Sequence, residues 1–268
     1  MLKSRAGHVE VSAHYWQDNA DADIRHNIAT EMPVSLVYNG ISYAVMMATP
    51  LDLEDFGLGF SISEGIIQDK NELLGIKAFQ EEKGIMLAMD IPKEHFAKIA
   101  NHRRQMAGRT GCGLCGVESL DEAVRSLPPV RGGAKIPFHA IYKAYESLHK
   151  LQPEKLATGA VHSAAFATPE GVIKLVREDV GRHNALDKLI GAALKAGIAP
   201  DSGFILVTSR CSFEMVQKTV AFGTPVLAAI SAPTTLAVTL AEVSLLTLIA
   251  LARSKNFIVF THPERIGP

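Results

Sequence analysis

Between Ala160 and Phe260, short apolar runs of strand length alternate with segments of helix length, and this rhythm restricts the fold more than any other feature. Strands are predicted at Ala160–Ala167 and Val172–Val176, joined by a hairpin-like turn at Thr168-Pro-Glu-Gly171, then at Phe204–Thr208, Val226–Ile230, Leu246–Leu251 and Phe257–Phe260. Helices are predicted at Asn184–Ala196, Phe213–Phe222 and from about Pro233, where proline is tolerated in the first turn. In the first of these helices Ala185, Leu186, Leu189, Ile190, Ala193 and Leu194 fall on one stripe. Strands alternating with helices imply a largely parallel sheet sandwiched between helices. A chain of 268 residues, 47% hydrophobic, can bury such a core. The apolar stretch Val226–Ala252 has the length of a membrane span, but Pro233, Glu242 and recurring Ser and Thr break it up, and it divides into strand, helix and strand.

The first hundred residues read as a smaller α+β unit. Val34–Tyr43 is a hairpin turning at Asn39-Gly40, a pair suited to positive φ. Leu53–Ile67 reads as a helix and Ile85–Ile91 as a strand. A further helix is predicted near Val117–Leu127, followed by a break at Pro128-Pro129 and Gly132-Gly133, and another helix at Ile141–Leu151. The expected division is therefore residues 1–130, an N-terminal α+β region ending in a cysteine loop and its helix, and residues 131–268, an α/β domain.

Two of the three cysteines lie in Gly111-Cys112-Gly113-Leu114-Cys115-Gly116, approached by His102, Arg103, Arg104 and Arg109. Positive charge lowers a thiol pKa, and the thiolate is the reactive form, so the pattern points to exposed sulfur chemistry. The same residues spell a glycine fingerprint for dinucleotides, but no strand precedes them. An odd cysteine count and the lack of a secretory apolar segment in Met1–Ala20 argue for a reducing cytoplasm. A net charge of −1 gives no general attraction to nucleic acid or to an anionic membrane.

Polar residues gather just beyond the predicted strands, at Arg177–Asn184, Ser209-Arg210 and Ser231–Thr235. Each group opens a helix, whose free N–H groups favour an anion, and Arg182, His183 and Arg210 add positive charge. A phosphate-bearing ligand is expected there. Blander roles remain open: a surface ion-pair cluster for Arg177, Glu178, Asp179 and Arg182, a helix cap for Ser212, a small turn residue for Cys211, and either core or ligand contact for His162.

Five motifs in order carry a family resemblance. They are Thr110-Gly-Cys-Gly-Leu-Cys-Gly-Val117, Glu178-Asp-Val-Gly-Arg-His-Asn-Ala-Leu-Asp-Lys188, Ser209-Arg-Cys-Ser-Phe-Glu-Met-Val-Gln-Lys218, Ser231-Ala-Pro-Thr-Thr-Leu-Ala-Val238 and Thr261-His-Pro-Glu-Arg265. Together the chain resembles the formate dehydrogenase accessory sulfurtransferase family, FdhD. The resemblance implies a sulfurtransferase that takes persulfide sulfur from a cysteine desulfurase and delivers it to the molybdenum or tungsten bis-molybdopterin guanine dinucleotide cofactor of formate dehydrogenase. It implies Cys112 and Cys115 as the sulfur-handling pair, with Cys112 the persulfide carrier, and no tightly bound metal of the protein's own. The family's guanine nucleotide loop falls on Leu251, Ala252, Arg253, Ser254, Lys255 and Asn256, where many relatives carry an aromatic residue, a glycine and an arginine and this chain has Leu251, Lys255 and Asn256. Arg182, His183, Ser209 and Arg210 complete the expected cofactor-binding set. The family also implies a cytidine-deaminase-like, three-layer α/β/α fold for the C-terminal domain, and a homodimer.

Three rivals compete. A zinc deaminase needs H-x-E followed by P-C-x-x-C, but His162-Ser163-Ala164 lacks the Glu and the cysteines come first. A thioredoxin-like oxidoreductase needs a strand before its CxxC. A non-catalytic cofactor-binding chaperone is compatible with both motifs and remains the alternative.

Overall fold

The computed structural model describes residues 7–18, 20–97, 125, 127–253 and 256–268. Cys112, Cys115, Ser254 and Lys255 lie outside the described residues, as does most of the helix predicted near Val117–Leu127. Two sheets dominate. A four-stranded sheet contains β3 (Met32–Tyr38), β4 (Ile41–Ala48), β5 (Gly75–Glu81) and β6 (Gly84–Asp90), in the order β4-β3-β6-β5. Asn39 and Gly40 take φ of 47° and 82°, so the β3–β4 turn uses the positive-φ pair read from the sequence.

The six-stranded sheet contains β8 (His162–Ala167), β9 (Ile173–Asp179), β10 (Phe204–Val207), β11 (Val226–Ala229), β12 (Thr247–Arg253) and β13 (Asn256–Val259). Its order is β13-β12-β11-β10-β8-β9. The expectation of a largely parallel sheet is corrected here: only β10–β11 and β11–β12 pair in parallel. The cause is that β8–β9 and β12–β13 are adjacent strands joined by short connections, which force antiparallel pairing.

Helices cover both faces of this sheet. On one side α2 (Phe138–Leu148) packs Ala140, Ile141 and Ala144 over Ala165, Leu206, Ala228 and Ile249. On the other lie α4 (Arg182–Lys195), α5 (Phe213–Phe222) and α6 (Thr235–Val243), facing Ala164, Ile205, Leu227 and Leu248. The result is the three-layer α/β/α arrangement anticipated from the alternation, and Val226–Ala252 is indeed β11, α6 and β12. Among the described residues, no helix is long and apolar enough to cross a membrane. A short helix, α3 (Pro153–Thr158), precedes β8.

One helix joins the two sheets. α1 (Leu53–Ser63) is buried on nearly every face, which its apolar run without a polar stripe requires. It ends four residues before the predicted Ile67 because Gly65 turns left-handed at φ 68° and the Ile66 and Ile67 amides return to the Ser61 carbonyl. α1 crosses α4 at Gly59 and Gly191, where backbones touch. A Cβ on Gly59 would fall inside the Asp187 carbonyl, and one on Gly191 inside the Asp55 carbonyl.

Outside both sheets, β1 (His8–Gln17) and β2 (Ala20–Ala29) form a two-stranded antiparallel ribbon that the sequence reading did not anticipate. Two short strands, β7 (Ile136–Pro137) and β14 (Ile266–Gly267), tie the C-terminus to the start of α2.

Candidate functional site

Strand directions decide where the polar segments meet. β9, β10, β11 and β12 run one way, β8 and β13 the other. The carboxyl ends of four strands therefore share one edge with the amino end of β8, where His162 lies opposite Asp179. The loops beyond that edge are stitched together: Cys211 donates its amide to Ala232, Thr234 donates to Cys211, and Leu251 donates to Ser231. Arg182, His183, Ser209, Arg210 and Leu251, distant in sequence, thus follow one edge of the sheet, the expected position of the ligand crevice of an open α/β sheet.

The segment between β9 and α4 is held by a buried ion pair. Lys188 Nζ lies 2.7 Å from Asp179 Oδ2, and both side chains are fully buried. Asp179 also accepts from the Thr49 amide at 3.0 Å, the Gly181 amide at 2.8 Å and Asn184 Nδ2 at 3.0 Å. Lys188 donates to the Thr49 carbonyl and Asn184 to the Met47 carbonyl, each at 2.8 Å. Thr49 Oγ1 in turn accepts from the Val180 amide. A charge pair so deep persists only when its remaining donors and acceptors are matched, as they are here. Its consequence is a rigid Val180–Gly181 turn that aims the start of α4 at the crevice.

A second buried cluster braces the same helices from below. Lys218 Nζ, on α5, contacts Asp187 at 3.0 Å, Glu64 at 2.6 Å and Ser63 at 3.0 Å. Burial pushes the Asp187 carboxyl up to about 6, against the Lys218 ammonium, which favours its charged form. Burial opposes the Lys218 charge, but the Asp187 and Glu64 carboxylates outweigh it and hold the ammonium above its ordinary range.

Two of the three helices that begin at the crevice have no side-chain cap. α4 starts at Gly181 and α5 at Ser212, whose hydroxyl makes no capping bond, so its expected capping role is not what the structure contains. Only α6 is capped, by Thr234 Oγ1 accepting from the Ala237 amide. At the two uncapped starts, Arg182 Nε, His183 Nε2 and Ser212 Oγ are buried and have no hydrogen-bond partner among the described residues. Leaving such groups unpaired costs roughly 1–3 kcal/mol each, which makes the two helix starts the candidate position for a bound partner. All three can donate, and two helix N-termini add their dipoles, so the partner they suit is an anion such as phosphate.

The electrostatics support a neutral imidazole inside a positive frame. Burial first, then the Arg182 guanidinium, push His183 down to about 4, with Glu214 the opposing carboxylate, 3.8 Å from Nε2 and beyond hydrogen-bond reach. His162 is also held below its ordinary range by burial and by Lys155, Arg182 and Arg210, which puts both arginines within electrostatic reach of one ring.

The other sequence-predicted residues fall as follows. Ser209 is buried and donates to the Arg210 carbonyl, while Arg210 is exposed. Leu251 is in the left-handed region at φ 55°, at the bulge between Ala250 and Arg253, an uncommon posture for a bulky side chain that concentrates at functional sites. Ala252 turns into the core beside α2, so only its backbone can serve the crevice. Arg253 pairs with Asn256 across the β12–β13 ladder, and Asn256 is exposed. Cys211 is fully buried with its thiol pushed up to about 12, as a small turn residue would be and a nucleophile would not. The Arg177 guanidinium pairs with Asp55 at 2.7 Å, joining β9 to α1. Sequence reading missed the roles of Thr49, Lys188 and Lys218. The one signal available was that Asn184 and Lys188, four apart, share a helix face with nothing apolar to justify it. Among the described residues, no three His, Cys, Asp or Glu side chains gather to hold a metal.

Comparison with known proteins places this architecture. The model of the FdhD/NarQ family matches residues 29–267. "Sulfur carrier protein FdhD" of Variovorax paradoxus is 50% identical over 245 residues, 91% of this chain and 88% of that protein. The protein of the same name from Xanthomonas oryzae pv. oryzae is 47% identical over 265 residues, covering 98% and 94%. A crystal structure of a putative formate dehydrogenase accessory protein from Desulfotalea psychrophila superposes with a TM-score of 0.75 at 25% identity, covering 98% of this chain and all of that one.

Proposed function

Because the chain belongs to the FdhD/NarQ family, we propose that it is a sulfur carrier and sulfurtransferase of formate dehydrogenase maturation. Cys112 receives sulfur from a cysteine desulfurase: its thiolate attacks the terminal sulfur of the donor's persulfide, the donor's S–S bond breaks, and the donor thiolate leaves. No net oxidation occurs, because one persulfide replaces another. The arginines before Cys112 in the sequence favour the thiolate. Cys115 assists at the same loop.

The acceptor is the bis-molybdopterin guanine dinucleotide cofactor, bound as substrate, whose metal is the site that takes up sulfur. The crevice residues suit its anionic part. Arg182 Nε, Ser212 Oγ and the neutral His183 Nε2 would donate to phosphate oxygens, Arg210 would add charge at the rim, and the Leu251–Asn256 turn would flank the nucleotide. The observation that carries this reading is three buried donors at uncapped helix starts with no partner among the described residues. Arg125, ten residues beyond Cys115, supports it: its amide donates to Gln217 Oε1 of α5 at 2.9 Å and its guanidinium reaches the Ser63 carbonyl. Extended chain limits Cys115 to about 35 Å and Cys112 to about 45 Å from this anchor on α5. The working unit is a homodimer in the reducing cytoplasm.

The test is mass spectrometry of the protein after incubation with a cysteine desulfurase and cysteine. A reductant-labile extra sulfur on Cys112 is the expected result. The Cys112→Ala variant should bind guanosine diphosphate normally and fail to support sulfuration of the cofactor. If that variant still supports sulfuration, the protein is a cofactor-binding chaperone and the transferase reading is wrong.

A further inference from the structure

The β1–β2 ribbon is amphipathic, and the described residues leave its apolar face largely uncovered. In the register His8↔Ala29 to Gln17↔Ala20, alternate pairs share a face. One face is mainly polar, with Trp16 exposed at 73% near its tip: Arg25 pairs with Glu10 at 2.8 Å, and His14 with Asp21 at 2.9 Å and Asp23 at 2.8 Å. The opposite face carries Val9, Val11, Tyr15, Ile24 and Ile28. None of these belongs to either hydrophobic cluster of the described residues, and Tyr15 and Ile28 stay 48% and 42% exposed. The ribbon meets its own chain chiefly at its root, where His8 Nδ1 lies 2.8 Å from Glu154 of α3 and Thr30 donates to the Gly7 carbonyl.

We infer that this ribbon is an arm whose apolar face packs against a second copy of the chain, exchanged reciprocally across a two-fold axis. The inference rests on the dimeric reading above and names the surface that makes the dimer. An isolated two-stranded ribbon is at best marginally stable in water, so an arm of ten-residue strands needs a cover that is always present. A sulfur donor or client enzyme visits transiently; another copy of the chain is permanent.

A matching surface exists on the same chain. The face of the four-stranded sheet turned away from α1 leaves Val45, Met47 and Phe79 exposed at 61%, 47% and 38%, and the register puts them on one side. Each arm face measures roughly 33 by 10 Å from strand rise and sheet spacing. Two arms exchanged onto two such sheet faces bury about 1,300 Å² in total, within the range of specific interfaces, whereas arm-on-arm contact alone buries only about half that. The net charge of −1 raises little repulsion between copies.

Sedimentation of the full chain tests the arm directly. Wild-type protein should be a dimer, and the Val11→Lys/Ile24→Lys variant a monomer with unchanged far-ultraviolet circular dichroism. Replacing Tyr15 by a photo-crosslinking phenylalanine, in a mixture of light and heavy isotope-labelled chains, should give light–heavy crosslinks on Val45 or Phe79. A monomeric wild type overturns both the dimer and the arm. A dimer that survives the double substitution, or crosslinks confined to one chain, overturns the arm alone.

Discussion

Replacing Lys188 by methionine removes one half of the buried Asp179–Lys188 pair while roughly keeping the volume. Removing one partner of such a pair typically costs about 3–5 kcal/mol, because the other charge is left without compensation. Asp179 here retains three donors, the Thr49 and Gly181 amides and Asn184 Nδ2, which places the expected cost at the lower end, about 3 kcal/mol. With a urea slope near ~3 kcal/mol/M, the unfolding midpoint followed by circular dichroism should fall by about 1 M. The double variant Asp179→Asn/Lys188→Met should be more stable than the two single losses sum to, by at least about 1 kcal/mol. The same substitution should weaken guanosine diphosphate binding at least about tenfold, because the Val180–Gly181 turn that aims α4 is no longer held. A midpoint within about 0.3 M of wild type, with nucleotide affinity unchanged, would refute the idea that this pair holds the crevice.

Further outcomes are expected at His183, Cys211 and Gly59. His183, pushed down to about 4, takes up its proton in the unfolded chain near 6.5 and in the folded protein only near 4. Its contribution is therefore intact above pH 6.5 and lost as pH falls toward 4, by roughly 3 kcal/mol, so unfolding free energy should decline less steeply over that window in His183→Gln. Bound phosphate should raise the His183 midpoint in an NMR titration; an unchanged midpoint would place the anion elsewhere. Cys211 should resist alkylation in the folded protein and react on unfolding, and Cys211→Ala should leave sulfur loading intact; rapid native alkylation would contradict its burial. Gly59→Ala forces the α1 and α4 backbones apart and should cost more than about 3 kcal/mol or abolish soluble expression, whereas a near-native thermal midpoint would show the crossing to be more pliable than its geometry.

The elements were legible where the determinant is local. The stripe Ala185–Leu194 specifies a helix, Asn39-Gly40 a tight reversal, and the polar runs after Val176, Thr208 and Ile230 the loops at strand ends, because periodicity and turn chemistry are set within a few residues. The ribbon at His8–Ala29 escaped because its alternation is diluted by Ala13, Ala22 and His26 among the apolar positions. The end of α1 escaped because Gly65 stops a helix whose apolar pattern runs on.

The amino-acid order by itself determined an alternating α/β chain, a cysteine pair in a basic and glycine-rich setting, and helix starts rich in arginine, histidine and serine. Only the tertiary structure decided that the sheet is mixed, that Lys188 and Lys218 are buried braces rather than surface charges, and that Arg182, His183 and Ser212 carry buried donors without a partner among the described residues. The reason is physical. Whether a charge is paired or a donor left open depends on groups such as Thr49 and Asp179, 130 positions apart along the chain, and no local pattern carries information about a neighbour that only folding supplies.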